Sequence, residues 1–259
     1  MLKISLSMIC KASDDEAKLL DRCLKNAASY FDELNITITG YNKSCEKVAR
    51  KYKAKTSMFE WCDDFSKARN FNFAQATGDY IMWLDADDVL ENGHLIRETV
   101  EEMKKNGIDT VILPYLYDFD EYGLCTVRHL KTRIVKNDGC VSWVGALHED
   151  FHSNREIKQF MDEKIEILHV VDEARAKQSS ERNLEIAVEE FKRDSDDPRN
   201  HYLIANAHLA QNNTELALKY LGTFLAMSQS DEEKYLVYLT MSDLIEKERE
   251  VYIGKAWAI

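Results

Sequence analysis

The sequence predicts an α/β protein: a domain on a mostly parallel sheet, followed by a small all-α region. Three observations predict it. Short apolar runs alternate with amphipathic helical stretches from residue 3 to residue 113, the order of a strand–helix–strand fold. The run YIMWL at 80–84 is apolar throughout, as suits a strand covered on both faces. From about Glu173 the chain is helical by periodicity, which divides it into domains 1–172 and 173–259.

Taken in order, residues 3–9 read as a buried strand. Residues 14–30 have Ala17, Leu20, Leu24, Ala27 and Ala28 on one helical face. NITIT at 35–39 is a strand ended by Gly40, 44–52 a helix and 55–59 a short strand. A helix over 66–76 stops at Gly78, and a helix over 91–105 follows the YIMWL strand, with Asp88 at its entrance. A strand over 109–113 ends at Pro114. Beyond it, aromatics surround a Glu-Tyr-Gly turn, and two β-like runs flank Asn137-Asp138-Gly139, a hairpin signal. Residues 202–227 form two apolar-periodic helices joined at Asn212-Asn213, with the small residues Ala205 and Ala217 where they cross.

Composition narrows the function. The chain has 259 residues, 45% hydrophobic, with 34 basic against 46 acidic side chains. The resulting net charge of −12 repels phosphate backbones and argues against nucleic-acid binding. An anionic substrate therefore needs local cations or a metal. The six cysteines, with no CxxC, suit neither a zinc knuckle nor a dense disulfide framework. No run approaches the ~18 apolar residues of a membrane span, and the cysteines read as reduced and mostly buried, so the expectation is a cytoplasmic protein. Lys43, Lys47, Arg50, Lys51, Lys53 and Lys55 read as a solvated helix face.

The most informative segment is IMWLDADDVL. A buried strand delivers Asp85, Asp87 and Asp88 to its carboxyl end, where open α/β sheets bind ligands. Three carboxylates this close repel one another unless a cation neutralises them, and hard oxygen ligands suit Mg²⁺ or Mn²⁺ bridging to phosphate. An EF-hand loop fails here, because its sixth and twelfth positions are Leu90 and Ile96. The string also fits a haloacid-dehalogenase-like DxDxV signature, but three strands precede it where that signature opens its domain.

Four segments resemble family 2 inverting glycosyltransferases of the GT-A type, notably bacterial members with a tetratricopeptide tail. They are ISLSMICKASDD, FEWCDDFSKARNFNFAQATGDYIMWLDADDVL, RIVKNDGCVSWVGALHE and the 202–227 repeat. The resemblance implies a Rossmann-like GT-A domain and a nucleotide-sugar donor, a UDP-sugar by extension. It implies Asp85 and Asp87 as the metal-holding DxD pair, with Asp85 on the metal or the ribose. Arg69 would touch the donor's nucleotide or diphosphate, as a planar guanidinium suits phosphate oxygens, and Asp64 would shape the same pocket. The family's second strand ends in Asp-Thr-Gly-Ser-Thr-Asp, whereas residues 38–43 read Ile-Thr-Gly-Tyr-Asn-Lys, so base recognition is altered.

WVGALHE matches the family's acceptor-side motif. An inverting transfer needs one carboxylate to take the acceptor's proton; Glu149 is the candidate base and Asp150 the reserve. His148 would orient that base or contact the metal or diphosphate. The stretch 148–152 also spells HExxH, which requires both histidines on one helical face. The preceding VSWVG favours strand or loop instead. Two functions follow: a metal-assisted transferase, or an inactive relative whose helical tail binds a partner. In either, the tail offers a surface for a protein or peptide acceptor.

Overall fold

The computed structural model describes residues 2–170, 173–245 and 249–259, with side chains from residue 178 in the second of these. The first unit, Met1–Gly145 with Glu149–Val171, is built on a nine-stranded sheet among the described residues. Four parallel strands form one half: β1 (Ile4–Lys11), β2 (Glu33–Thr39), β3 (Lys55–Phe59) and β4 (Tyr80–Trp83) in the order β3-β2-β1-β4. The other half mixes directions. It contains β5 (Asp88–Glu91), β6 (Thr110–Phe119), β7 (Cys125–Lys136), β10 (Gln159–Met161) and β11 (Glu166–His169). The order runs on from β4 as β7-β6-β11-β5, with β10 beside β6. A separate hairpin pairs β8 (Val141–Val144) with β9 (Asp150–Ser153).

Strand alternation sorts the two faces of the sheet. Ile4, Leu6, Met8 and Cys10 of β1 join one core with Leu20 and Leu24 of α1 (Asp14–Ala27), Ala49 of α2 (Lys43–Lys51) and Val100 of α4 (Ile96–Asn106). The opposite face carries Ser5, Ser7, Asn35 and Thr37, all buried. There α3 (Phe65–Phe73) answers with Asn72, whose amide donates to the Asn35 carbonyl at 3.1 Å and to Thr37 Oγ1 at 2.9 Å. The Asn35 carbonyl and the Thr37 hydroxyl are thus satisfied, while Ser7 Oγ and Asn35 Oδ1 are buried without a hydrogen-bond partner.

Three local expectations change. The segment after the acidic residues opens as β5, so Asp88 begins a strand, and the helix starts only at Ile96. The antiparallel ladder His169↔Asp88 to Glu166↔Glu91 claims these residues for the sheet. Asn137-Asp138-Gly139 is not a hairpin turn: β7 pairs with β4 and β6, while β8 pairs with β9. The hairpin lies one turn earlier, at Glu121-Tyr122-Gly123, where Gly123 takes φ +79°. Finally, β6 runs through Pro114. That residue falls between the β10 ladder, ending at Ile112, and the β11 ladder, beginning at Tyr115, so its missing N–H leaves no partner open on that side.

The second unit groups Ala146–His148 with Asp172–Ile259. It consists of α5 (Glu173–Arg193), α6 (Pro198–Ala210), α7 (Thr214–Met227), α8 (Asp231–Leu244) and α9 (Arg249–Trp257). Asp197 caps α6 with Pro198 in its first turn, and Asn213 caps α7. Ala205 and Ala217 are both fully buried, which lets α6 and α7 approach closely. No helix among the described residues is long and apolar enough to cross a membrane.

Candidate active site

β4 is buried at all four positions and held on both sides, by β1 and by β7. The chain leaves it at Leu84 into a tight turn over 85–88. The Asp88 amide donates to the Asp85 carbonyl at 3.1 Å, and the Asp85 amide donates to Asp88 Oδ2 at 2.9 Å. Asp88 is fully buried, and its counter-charge is the buried Arg133 of β7, Nη1 to Oδ2 at 3.0 Å. The Arg133 guanidinium lies 3.7 Å from the Trp83 ring centroid and 4.4 Å from that of Tyr115. The other carboxylate oxygen, Asp88 Oδ1, is buried without a hydrogen-bond partner.

Across Trp83 lies a second arginine. Arg69, on α3, is 6% exposed and stacks 4.5 Å from Trp83 and 5.0 Å from Trp143 of β8. Its Nη2 donates to Asp85 Oδ1 at 2.9 Å, and its Nε donates to Glu149 Oε1. Burial opposes the charge on both Arg69 and Asp85, but the pairing outweighs it. Arg69 is raised by Asp85 and Glu149; Asp85 is held below the usual carboxylate range by Arg69 and Arg133.

Asp87, Asp88 and His169 converge, with one ligand atom from each within 4.8 Å of the others. His169 Nδ1 stands 3.9 Å from Asp87 Oδ1 and 3.9 Å from Asp88 Oδ1. Burial disfavours the charged imidazole, yet Asp88, Asp87 and Asp85 outweigh it and raise its pKa. The pocket therefore favours positive charge, and its unpartnered Asp88 oxygen matches a hard cation. Two carboxylates and an imidazole are a donor set that fits Mn²⁺ or Mg²⁺.

The sequence-derived candidates meet here only in part. Asp85, Asp87, Arg69 and Glu149 surround one strand end. Asp64 caps α3: its Oδ1 accepts from the Lys67 amide at 3.0 Å and from Ser66 Oγ at 2.7 Å, which seats the helix that carries Arg69. His148 is exposed, with φ +49°, and groups with the helical unit, where its carbonyl accepts from Arg199 at 2.8 Å. His152 lies in β9 opposite Ser142. The HExxH spacing thus spans a turn and a strand rather than a helix, which removes the zinc-hydrolase geometry.

Sequence reasoning missed Arg133, His169 and Tyr115. A buried Asp88 demands a cation, and Arg133, heading an apolar RIV run, was the signal for one. His169 ends the apolar strand EILH, a pattern with no motif to mark it.

Comparison with known proteins agrees with this architecture. The model for "Glycosyl transferase family 2" matches residues 10–173. The chain is similar to the SPbeta prophage-derived glycosyltransferase SunS of Bacillus subtilis, 23% identical over 222 residues, covering 80% of this chain and 50% of that protein. A TPR repeat-containing protein of Synechococcus elongatus is 44% identical over 90 residues, 35% of this chain and 22% of that protein. The chain therefore spans half or less of these curated relatives. Among solved structures, residues 1–349 of S. aureus TarS superpose with a TM-score of 0.50 at 16% identity, covering 100% of this chain and 92% of that one. At that identity the likeness concerns the fold.

Proposed function

Since the chain belongs to glycosyl transferase family 2 over residues 10–173, we propose that it transfers a sugar from a nucleotide-sugar, a UDP-sugar, with inversion. The observation that carries this reading is the turn over 85–88, which faces two charged groups: Asp87–Asp88–His169 on one hand, Asp85–Arg69–Glu149 on the other. Asp87, Asp88 and His169 would hold Mn²⁺ or Mg²⁺, and that ion would supply positive charge for the leaving diphosphate. Asp85 and the two tryptophans fix Arg69, and Arg69 orients Glu149. The Glu149 carboxylate then accepts the proton of the attacking acceptor group. Arg69 is thereby a positioning residue in this reading, its Nε and Nη2 being directed at the two carboxylates. A protein or peptide is the first acceptor class to offer, because α6 and α7 resemble a tetratricopeptide unit.

Calorimetry with UDP tests the donor site. Mn²⁺-dependent binding is expected for the native chain and its loss in Asp87→Ala, with an unchanged circular dichroism spectrum. Equal affinity in the two proteins overturns the assignment of Asp87. One feature favours a second reading, an inactive relative: residues 38–43 carry no carboxylate for a ribose or base. Failure of every nucleoside diphosphate to bind, with or without Mn²⁺, would select it.

A further inference from the structure

Strand register gives His169 its surroundings. β11 lies parallel to β6, with Ile167 opposite Tyr115 and Leu168 opposite Leu116, and antiparallel to β5, with His169 opposite Asp88. The imidazole is therefore caught between the aromatic start of the β6–β7 hairpin and the acidic turn. Tyr117 stacks on its face, centroids 4.8 Å apart and planes 14° apart, and the Tyr115 ring lies 5.5 Å away. The nitrogen nearest the carboxylates is Nδ1, 3.9 Å from each of Asp87 Oδ1 and Asp88 Oδ1. That same Nδ1 is hydrogen-bonded to the Tyr115 hydroxyl at 2.7 Å.

We propose that the Tyr115 hydroxyl competes with the bound cation for His169 Nδ1 and so sets how tightly the ion is held. The proposal rests on the reading that Asp87, Asp88 and His169 form a divalent-cation site. A ring nitrogen has one in-plane position, as a lone pair or as an N–H, and it serves one partner at a time. Groups that support a metal-binding histidine ordinarily bond its other nitrogen and strengthen ligation. Here the bond falls on the nitrogen facing the carboxylates, so its effect has the opposite sign. Tyr115 is 6% exposed, so water does not readily take over its hydroxyl when the bond breaks. An entering ion exchanges the phenol–imidazole bond for a coordinate bond, while Tyr117 keeps the ring in place. The ion is thereby left exchangeable.

The direction of the effect separates this from a merely structural tyrosine. Mn²⁺ affinity is measured from the electron paramagnetic resonance of the free ion, with UDP present, for the native chain, Tyr115→Phe and Asp87→Ala. Tyr115→Phe should bind Mn²⁺ roughly three- to tenfold more tightly, the worth of one ordinary hydrogen bond. Asp87→Ala should lose the ion. Unchanged or weaker binding in a folded Tyr115→Phe overturns the proposal and leaves the cation site standing. A native chain that binds no Mn²⁺ overturns the cation site itself, and the proposal with it. Should Tyr115→Phe not fold, nitrogen NMR of the native chain decides: Zn²⁺, a diamagnetic ion, must move the His169 Nδ1 resonance, and a shift confined to Nε2 rejects the competition.

Discussion

Arg133 and Asp88 are 1% and 0% exposed in their side chains, and each is the other's charge partner. Removing one member of such a pair leaves an uncompensated buried charge. Arg133→Met should therefore destabilise the protein by about 3–5 kcal/mol in urea denaturation. Adding Asp88→Leu should restore most of that loss while abolishing Mn²⁺ binding, since the pair stabilises less than it serves the turn. Glu149 makes a second test at this scale. Glutamine keeps the shape and an oxygen for Arg69 Nε, but it cannot take a proton at neutral pH. Glu149→Gln should bind donor normally and transfer sugar roughly 10²–10⁴-fold more slowly. Parallel losses of donor affinity and turnover would move Glu149 into the donor site.

At the scale of elements, the site depends on β4 lying close to β1. Gly78 allows the approach: a Cβ there would stand 2.6 Å from Ser5 Oγ and 2.9 Å from the Ser5 amide nitrogen. One of those neighbours is backbone, so the strand must move. Gly78→Ala should cost about 1–3 kcal/mol, read as a lower urea midpoint, and should weaken Mn²⁺-dependent nucleotide binding by shifting the turn over 85–88. Most elements of this domain were legible, because apolar periodicity reports burial directly. The failures share a cause. Asp88 reads as the entrance to a helix over 91–105, and Asn137-Asp138-Gly139 as a hairpin, because local signals carry no record of which distant strand a segment will pair with. β11, more than 70 positions further along the chain, claims β5.

For the molecule as a whole, acid is the informative variable. Burial opposes the charge of Glu33, but hydrogen bonds from Lys55, Ser5, the Thr77 amide and Asn35 hold its pKa well below the usual range. Burial likewise opposes Asp138, whose hydrogen bonds with Cys140 and Lys136 prevail, while Asp109 is lowered first by Arg155. Groups with folded pKa values below their unfolded ones contribute fully above the unfolded value of about 4. That contribution is lost as pH falls through the folded values. The urea midpoint should accordingly drop between pH 5 and pH 2, values bracketing that range of about 4, and Glu33→Gln should flatten the drop. A midpoint unchanged down to pH 3, about one unit below the unfolded value, would show these carboxyls to be unlinked to folding.

The sequence by itself determined the α/β class, the helical region from about residue 173 and the delivery of three aspartates to the end of a buried strand. Each follows from local periodicity or from neighbours within a few residues. It also marked Arg69 and Glu149, through motif likeness. Only the tertiary structure decided which atoms meet: Arg69 with Asp85 and Glu149, Asp88 with Arg133, and Asp87 and Asp88 with His169. Those partners lie 16 to 82 positions apart in the chain. Buried charges must be satisfied by whatever the fold brings near, and strand register, which no single segment encodes, sets what that is.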